Sequence, residues 1–162
     1  MRLRLITVPI VLLFLAPLSL AADRADFSGS YTMTKSTGDF KLKKGEVWTL
    51  NVTQSDTLIE VTEVNDGKST TNKYPLDGKE GPYVSPGGMK GACKGQFKKS
   101  ALVLESVVDT RPQPNSPSVR LDTKERWELS GDMRTLTIHV DINIPNAPIQ
   151  LVNPWSEIFT RN

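Results

Sequence analysis

The chain has 162 residues, of which 38% are hydrophobic and 23% charged, and its formal net charge at pH 7 is +2. That length is typical of one domain, and so small a net charge argues against nucleic-acid binding driven by bulk charge. A single cysteine excludes a disulfide within the chain.

The first 21 residues have the pattern of a secretory signal peptide. Arg2 and Arg4 form a positively charged start, and residues 10–15 are the centre of a short apolar stretch. Residues 18–22 then supply small side chains at alternate positions for cleavage. A membrane anchor is the alternative, but prolines interrupt the apolar stretch, which is also shorter than the roughly 20 residues of a spanning helix.

The chain is therefore predicted to comprise a signal peptide at 1–21 and a single domain at 22–162. Cleavage would release that domain into the periplasm or outside the cell. Because both excess bases lie in the signal peptide, the domain itself is predicted to be electrically neutral. No later segment is apolar enough to span a membrane, and the domain is long enough to bury a core without disulfides.

Alternating apolar and polar residues predict about nine strands after the signal peptide. Turn signals, among them two Asp-Gly pairs, separate these strands at intervals of roughly ten to eighteen residues. The clearest alternation, at 119–129, places Thr123, Glu125 and Trp127 on one face. The predicted strands run over 27–35, 47–53, 57–65, 70–76, 91–97, 101–108, 119–129, 135–144 and 155–161.

The regular spacing of these short strands favours successive antiparallel hairpins over βαβ units. The predicted fold class is all-β, an antiparallel up-and-down meander of about 8–10 strands. Such a meander closes most naturally into a barrel, because closure removes the exposed edge strands. A β-sandwich of two sheets is the alternative.

The first predicted strand opens with the sequence FSGSY at 27–31. Its Gly-Ser-Tyr resembles the Gly-x-Trp of the first strand of lipocalin-like, or calycin, barrels, with tyrosine in place of tryptophan. In those families a basic residue near the last strand packs across the aromatic ring. The resemblance covers about residues 26–161 and implies a lipocalin-like barrel. It also implies that Gly29, Tyr31 and Arg161 close one barrel end as structural residues, through packing and a cation–π contact.

The chain is also similar to small uncharacterised bacterial exported proteins that share the Phe-Ser-Gly opening. That similarity implies no particular activity.

Glu125 is the carboxylate with the strongest claim to a function. It shares a predicted inner face with Trp127, and a buried carboxylate needs a partner or its pKa rises. We interpret Glu125 as a polar anchor inside a ligand cavity; the alternative is a strand end or a β-bulge that returns it to solvent. Trp48, Tyr74, Phe97 and Trp127 are predicted to line the same cavity, although aromatic residues more often fill a core.

No set of residues predicts catalysis or metal binding. His139 is the only histidine, and its alternation places it on a solvated face without spaced partners. Cys93 lies among small residues, which favours a buried structural thiol. Glu60, Glu63 and Glu105 are scattered and show no paired-carboxylate pattern. The chain is therefore predicted not to be an enzyme and to use no metal or other cofactor.

Two hypotheses about function follow. The first is non-enzymatic binding of a small apolar ligand in the barrel interior, since a barrel of this size can hold one small molecule. The second is a protein-interaction module, such as an inhibitor or envelope partner. It would act through the proline-bearing loops 110–118 and 145–154, because prolines lower the cost of ordering a presented loop.

Overall fold

The computed structural model describes four stretches of the chain. The predicted signal peptide lies outside them, as do the centres of both loops predicted to bind a partner. Within the described stretches no helix is long and apolar enough to cross a membrane. The described residues are 24–38, 45–111, 117–145 and 153–162.

Ten antiparallel strands follow one another in the described chain, and they form one sheet. The sheet order is β4-β3-β2-β1-β10-β9-β8-β7-β6-β5, so that the first strand pairs with the last. This order confirms the predicted all-β meander closing into a calycin-like barrel, and it excludes the two-sheet sandwich. The strands are β1 (Gly29–Ser36), β2 (Trp48–Gln54), β3 (Leu58–Asn65), β4 (Lys68–Pro75), β5 (Gly81–Val84), β6 (Lys90–Lys98), β7 (Ala101–Thr110), β8 (Val119–Leu129), β9 (Thr135–Asn143) and β10 (Trp155–Arg161).

Strand β5 is the element that the alternation of residues does not predict. It has four residues and includes Pro82, which lacks the N–H that a central strand needs. Proline is tolerated here because β5 lies at an edge of the sheet and forms its backbone ladder with β6 alone among the described strands. The prediction of about nine strands therefore falls one short of the ten in the described chain.

Side chains close the seam between β4 and β5, where the sheet has no backbone ladder. The amide of Asn72 donates to the backbone oxygen of Val84 and accepts from its N–H, each at 2.9 Å. The Cys93 sulfur lies 3.4 Å from the backbone oxygen of Lys73 on β4 and 3.5 Å from that of Pro82 on β5. Cys93 is buried, as predicted, and burial raises the pKa of its thiol to about 11. The barrel is thus nearly closed.

One end of the barrel, which we call the closed end, is filled with apolar side chains. Phe27 precedes β1 and is fully buried there, with its ring 6.2 Å from that of Trp127. The backbone N–H of Phe27 donates to the side-chain oxygen of Gln54 at 3.1 Å, which holds the segment before β1 against the end of β2. The other fully buried side chains at this end are Tyr31, Ile59, Leu102, Leu136 and Phe159.

The contact that the calycin resemblance implies is present at the closed end. The guanidinium carbon of Arg161 lies 5.2 Å from the centre of the Tyr31 ring. Its Nη2 donates to the Tyr31 hydroxyl at 2.7 Å and to the backbone oxygen of Ser28 at 2.8 Å. A Cβ at Gly29 would lie 3.0 Å from Arg161 Nε, and the φ of Gly29 is +152°. Glycine is therefore the residue that this close approach accepts.

Candidate functional site

A cavity of about 270 Å³ lies inside the barrel, away from the closed end. Trp155 and Trp48, at the starts of β10 and β2, belong to its wall. Because β10 runs from Trp155 to Arg161, the cavity occupies the end opposite the Tyr31–Arg161 contact. The aliphatic part of the wall consists of Leu50, Val61, Ile138, Val140 and Ile142.

Four of the five predicted ligand-binding residues line this cavity: Trp48, Tyr74, Glu125 and Trp127. Phe97 does not line it. The Phe97 ring packs 6.2 Å from that of Phe27 at the closed end. The reason is that strand alternation tells which side of the sheet a residue faces, but not how far along the barrel axis it lies.

Two tryptophan–glutamate pairs lie within single strands of the cavity wall. Trp127 Nε1 donates to Glu125 Oε2 at 2.8 Å on β8, and Trp155 Nε1 donates to Glu157 Oε1 at 2.9 Å on β10. In each pair the two residues are two positions apart, so both side chains face the interior. The pairs lie across β9 from each other, because Val140 stands opposite both Glu125 and Trp155.

The third pair joins neighbouring strands. The indole N–H of Trp48 on β2 attracts the carboxyl group of Glu63 on β3 and opposes the rise of its pKa. Oε1 of Glu63 is buried without a hydrogen-bond partner in the described chain. Each interior glutamate therefore lies beside one indole ring.

Burial dominates the electrostatics of Glu63. Desolvation raises its pKa to about 8, and repulsion from Glu125 and Glu157 adds to the rise. At neutral pH this carboxyl group is therefore mostly protonated. A protonated carboxyl group can donate one hydrogen bond as well as accept.

The other two carboxyl groups follow the same pattern. Burial raises the pKa of Glu157 to about 7 against the opposing hydrogen bond from Trp155, and Glu125 contributes repulsion. Burial also raises the pKa of Glu125, and the bond from Trp127 opposes it. Glu125 is enclosed by protein, and the surface that it keeps accessible faces the cavity. No lysine, arginine or histidine lies among the described residues around the cavity.

The cavity wall also contains four residues that the sequence did not predict to line it: Glu63, Tyr83, Trp155 and Glu157. For Glu63 and Glu157 a signal exists, because each shares its inner face with an apolar residue two positions away, Val61 in the first case. Tyr83 could not be found in this way, since it lies on the unpredicted strand β5.

A slightly larger groove, of about 330 Å³, lies mainly on the outer face of β6–β9. Charged side chains cross it and are already paired: Glu105 lies 3.5 Å from Lys94 and 3.8 Å from Lys124, and Arg120 lies 2.7 Å from Asp122. Such exposed pairs are worth little, because water competes for each charge. The interior cavity, with its apolar wall and few polar groups, is the better candidate site.

His139 lies on the outer face, as predicted. It is exposed, and its Nδ1 lies 2.9 Å from the Ser156 hydroxyl. Its Nε2 lies 3.6 Å from Glu128, also on the solvated face.

The sequence matches no protein-family model and no curated protein. Solved structures do share the fold. The REP1-NXSQ fatty acid transporter superposes with a TM-score of 0.60 at 11% identity, over 83% of this chain and 95% of that one. Fatty-acid-binding protein 1 of Echinococcus granulosus gives 0.59 at 16% identity, over 83% and 96%.

Lipid binding protein 8 of Caenorhabditis elegans gives a TM-score of 0.56 at 9% identity, over 84% of this chain and 95% of that one. At such low identity the likeness concerns the arrangement of strands alone. This chain therefore has the nearly closed, ten-stranded calycin-like barrel fold that these three proteins have.

Proposed function

We propose that this protein is exported and binds one small apolar molecule inside its barrel, without catalysing a reaction. The observation that carries the proposal is the cavity of about 270 Å³ with aliphatic and aromatic walls. Burying apolar ligand surface there gains roughly 25 cal/mol per Å². The volume is just below the ~300–1,000 Å³ of typical ligand pockets, which favours a compact ligand over a long chain.

The structural neighbours support the same reading. All three are, by name, fatty-acid or lipid binding or transport proteins, and each has the fold described above. Export is proposed from the signal-peptide pattern at 1–21. The non-enzymatic part is proposed because the described cavity wall offers carboxyl groups but no histidine, lysine or arginine to complete a catalytic set.

Filling the cavity tests the proposal. Thr123 lines the cavity, so Thr123→Phe is expected to occupy part of its volume. The measurement is the binding of the neutral fluorophore N-phenylnaphthylamine. It should bind the wild type saturably and the variant at least about tenfold more weakly, a loss of about 1.4 kcal/mol of binding free energy. Native mass spectrometry of gently extracted protein should show a bound small molecule in the wild type only.

The matched control is Lys124→Phe, one residue along the same strand. Lys124 points outward and is half-exposed, so this variant adds the same ring outside the barrel and should bind like the wild type. Thermal unfolding verifies that both variants are folded. Equal binding by Thr123→Phe and the wild type would contradict an interior site.

A further inference from the structure

All three tryptophans of the chain lie in the cavity wall, each beside one of three interior glutamates. Two of the indole N–H groups donate to one carboxyl oxygen of their partner, at 2.8 and 2.9 Å. Those bonds hold the carboxyl groups in place. Glu157, only 7% exposed, is buried at the cavity wall although its side chain is acidic.

Burying three carboxyl groups together is costly unless something compensates them. Around the cavity no described side chain carries a positive charge; Glu125 and Glu157 repel Glu63, and Glu125 repels Glu157. Oε1 of Glu63, moreover, is buried and has no hydrogen-bond partner in the described chain. Among the described residues, the carboxyl groups of the wall therefore lack a positively charged partner, and Glu63 also lacks one hydrogen-bond partner.

The aromatic part of the wall suits the same kind of ligand as the acids. Indole and phenol rings attract a cation to their faces, most strongly when the cation is desolvated. The Tyr74 and Tyr83 rings, whose centres are 6.3 Å apart, join the three indoles around the cavity. A ligand carboxylate would instead be repelled, in this low-dielectric site, by each interior acid that is ionised.

We propose that the ligand of this cavity is a small apolar molecule that carries one positive charge, a primary amine or a quaternary ammonium, held by the tryptophan–glutamate pairs. The inference rests on the proposed interior binding and specifies its ligand class. The ammonium group lies against the carboxyl groups and the ring faces. The apolar body lies against the aliphatic wall formed by Leu50, Val61, Ile138, Val140 and Ile142.

Binding of a cation should be linked to pH. Burial raises the pKa of Glu157 to about 7 and that of Glu63 to about 8, so the empty cavity holds protons that a cation displaces. If each bound cation displaces one proton, the affinity for the cation rises with pH by up to about tenfold per unit, at pH values below these pKa values. The other titratable groups of the cavity wall, Tyr74 and Tyr83, have pKa values raised by burial and stay uncharged at neutral pH. Burial likewise raises the pKa of the Cys93 thiol at the seam between β4 and β5.

The test compares three ligands of similar shape by calorimetry on the mature protein: benzyltrimethylammonium, its neutral isostere neopentylbenzene, and phenylacetate. The cation should bind at least about tenfold more tightly than the neutral isostere at about pH 8, and more weakly at about pH 6. Phenylacetate should bind most weakly. Benzylamine, a primary amine, distinguishes the two kinds of cation, because the unpartnered Glu63 oxygen can accept its N–H.

Glu63→Gln and Glu125→Gln separate charge from shape, since glutamine keeps the size and an acceptor oxygen for the indole. Each should weaken the cation by about tenfold and leave neopentylbenzene within about twofold. Glu105→Gln, on the outer face, is the control and should change neither.

If neopentylbenzene or phenylacetate binds as well as the cation, the ligand class is wrong while interior binding stands. If none of the four compounds binds, and N-phenylnaphthylamine fails as well, the proposed function itself is overturned. The pH dependence is read on the wild type, so a variant that fails to fold does not remove the test.

Discussion

Glu63 and Glu157 are acids whose protons are retained by the fold. Their ordinary pKa is 4.5, and burial raises it to about 8 and about 7. Between these limits the folded protein binds more protons than the unfolded chain, so its stability falls as the pH rises. The stabilisation that comes from retaining these protons is complete below about pH 4.5. It is lost as the pH rises through the pKa values of the folded protein.

We therefore expect the melting temperature of the ligand-free protein to fall between about pH 5 and about pH 8. Glu63→Gln should flatten this fall, because an amide does not titrate. Glu105→Gln, in the outer ion pairs, should retain the wild-type fall. Thermal unfolding at a series of pH values measures the slopes. A melting temperature that rises over the range would show that the interior acids are ionised.

Gly29, at the start of β1, lies against the guanidinium group of Arg161. Gly29→Ala would place a carbon 3.0 Å from Nε and force a side chain into a φ of +152°. Strain of this kind costs about 1–3 kcal/mol. Gly131→Ala is the control, because nothing lies within 4 Å of its added carbon. Urea unfolding compares the two; equal stabilities would disprove a special requirement at Gly29.

Strand alternation correctly indicates the direction of single side chains. It places Glu125 on the inner face of β8, and the structure puts that residue in the cavity wall. What alternation does not provide is the neighbour across the barrel. The repulsion between Glu125 and Glu63 depends on strands β8 and β3 facing each other, which only closure of the sheet produces. A single interior glutamate can therefore be predicted from the sequence, whereas the clustering of three glutamates cannot.

Asn72 makes the shortest hydrogen bonds described across the seam between β4 and β5. Asn72 supplies both bonds to the Val84 backbone that a neighbouring strand would otherwise supply. Asn72→Ala leaves those backbone groups unpaired, at a cost of about 1–3 kcal/mol. The Val84 N–H should then exchange its hydrogen faster in deuterated water.

Ser69→Ala provides the control for that seam, since Ser69 is exposed on the same strand. Its exchange rates and stability should stay within about 0.5 kcal/mol of the wild type. Unchanged protection of Val84 in Asn72→Ala would mean that the seam is held by other contacts, such as those of Cys93.

Nine of the ten strands in the described chain follow from the residue pattern, because half-buried strands alternate in a way that local sequence records. Strand β5 escapes prediction because it is four residues long and contains a proline. It pairs with β6 through a short hairpin. Failure to predict β5 affects the prediction of the site, because β5 brings Tyr83 to the cavity.

The whole molecule combines a packed end and a hollow end. Fully buried rings of Phe27 and Phe159 fill one end, which stabilises the barrel and leaves the other end free for a ligand. The calycin resemblance of the opening strand concerns the packed end, where Tyr31 and Arg161 meet. The fold can therefore be predicted from the sequence more readily than the site, because the cavity is enclosed by strands that are distant in the chain.

The most direct test of an interior ligand site uses the tryptophans themselves, because all three lie in the cavity wall. Tryptophan emission of the protein is followed during titration with N-phenylnaphthylamine. We predict saturable quenching at about one molecule per chain, unchanged in Lys124→Phe and at least about tenfold weaker in Thr123→Phe. Quenching that never saturates, or that is the same in Thr123→Phe as in the wild type, would contradict a binding site inside the barrel.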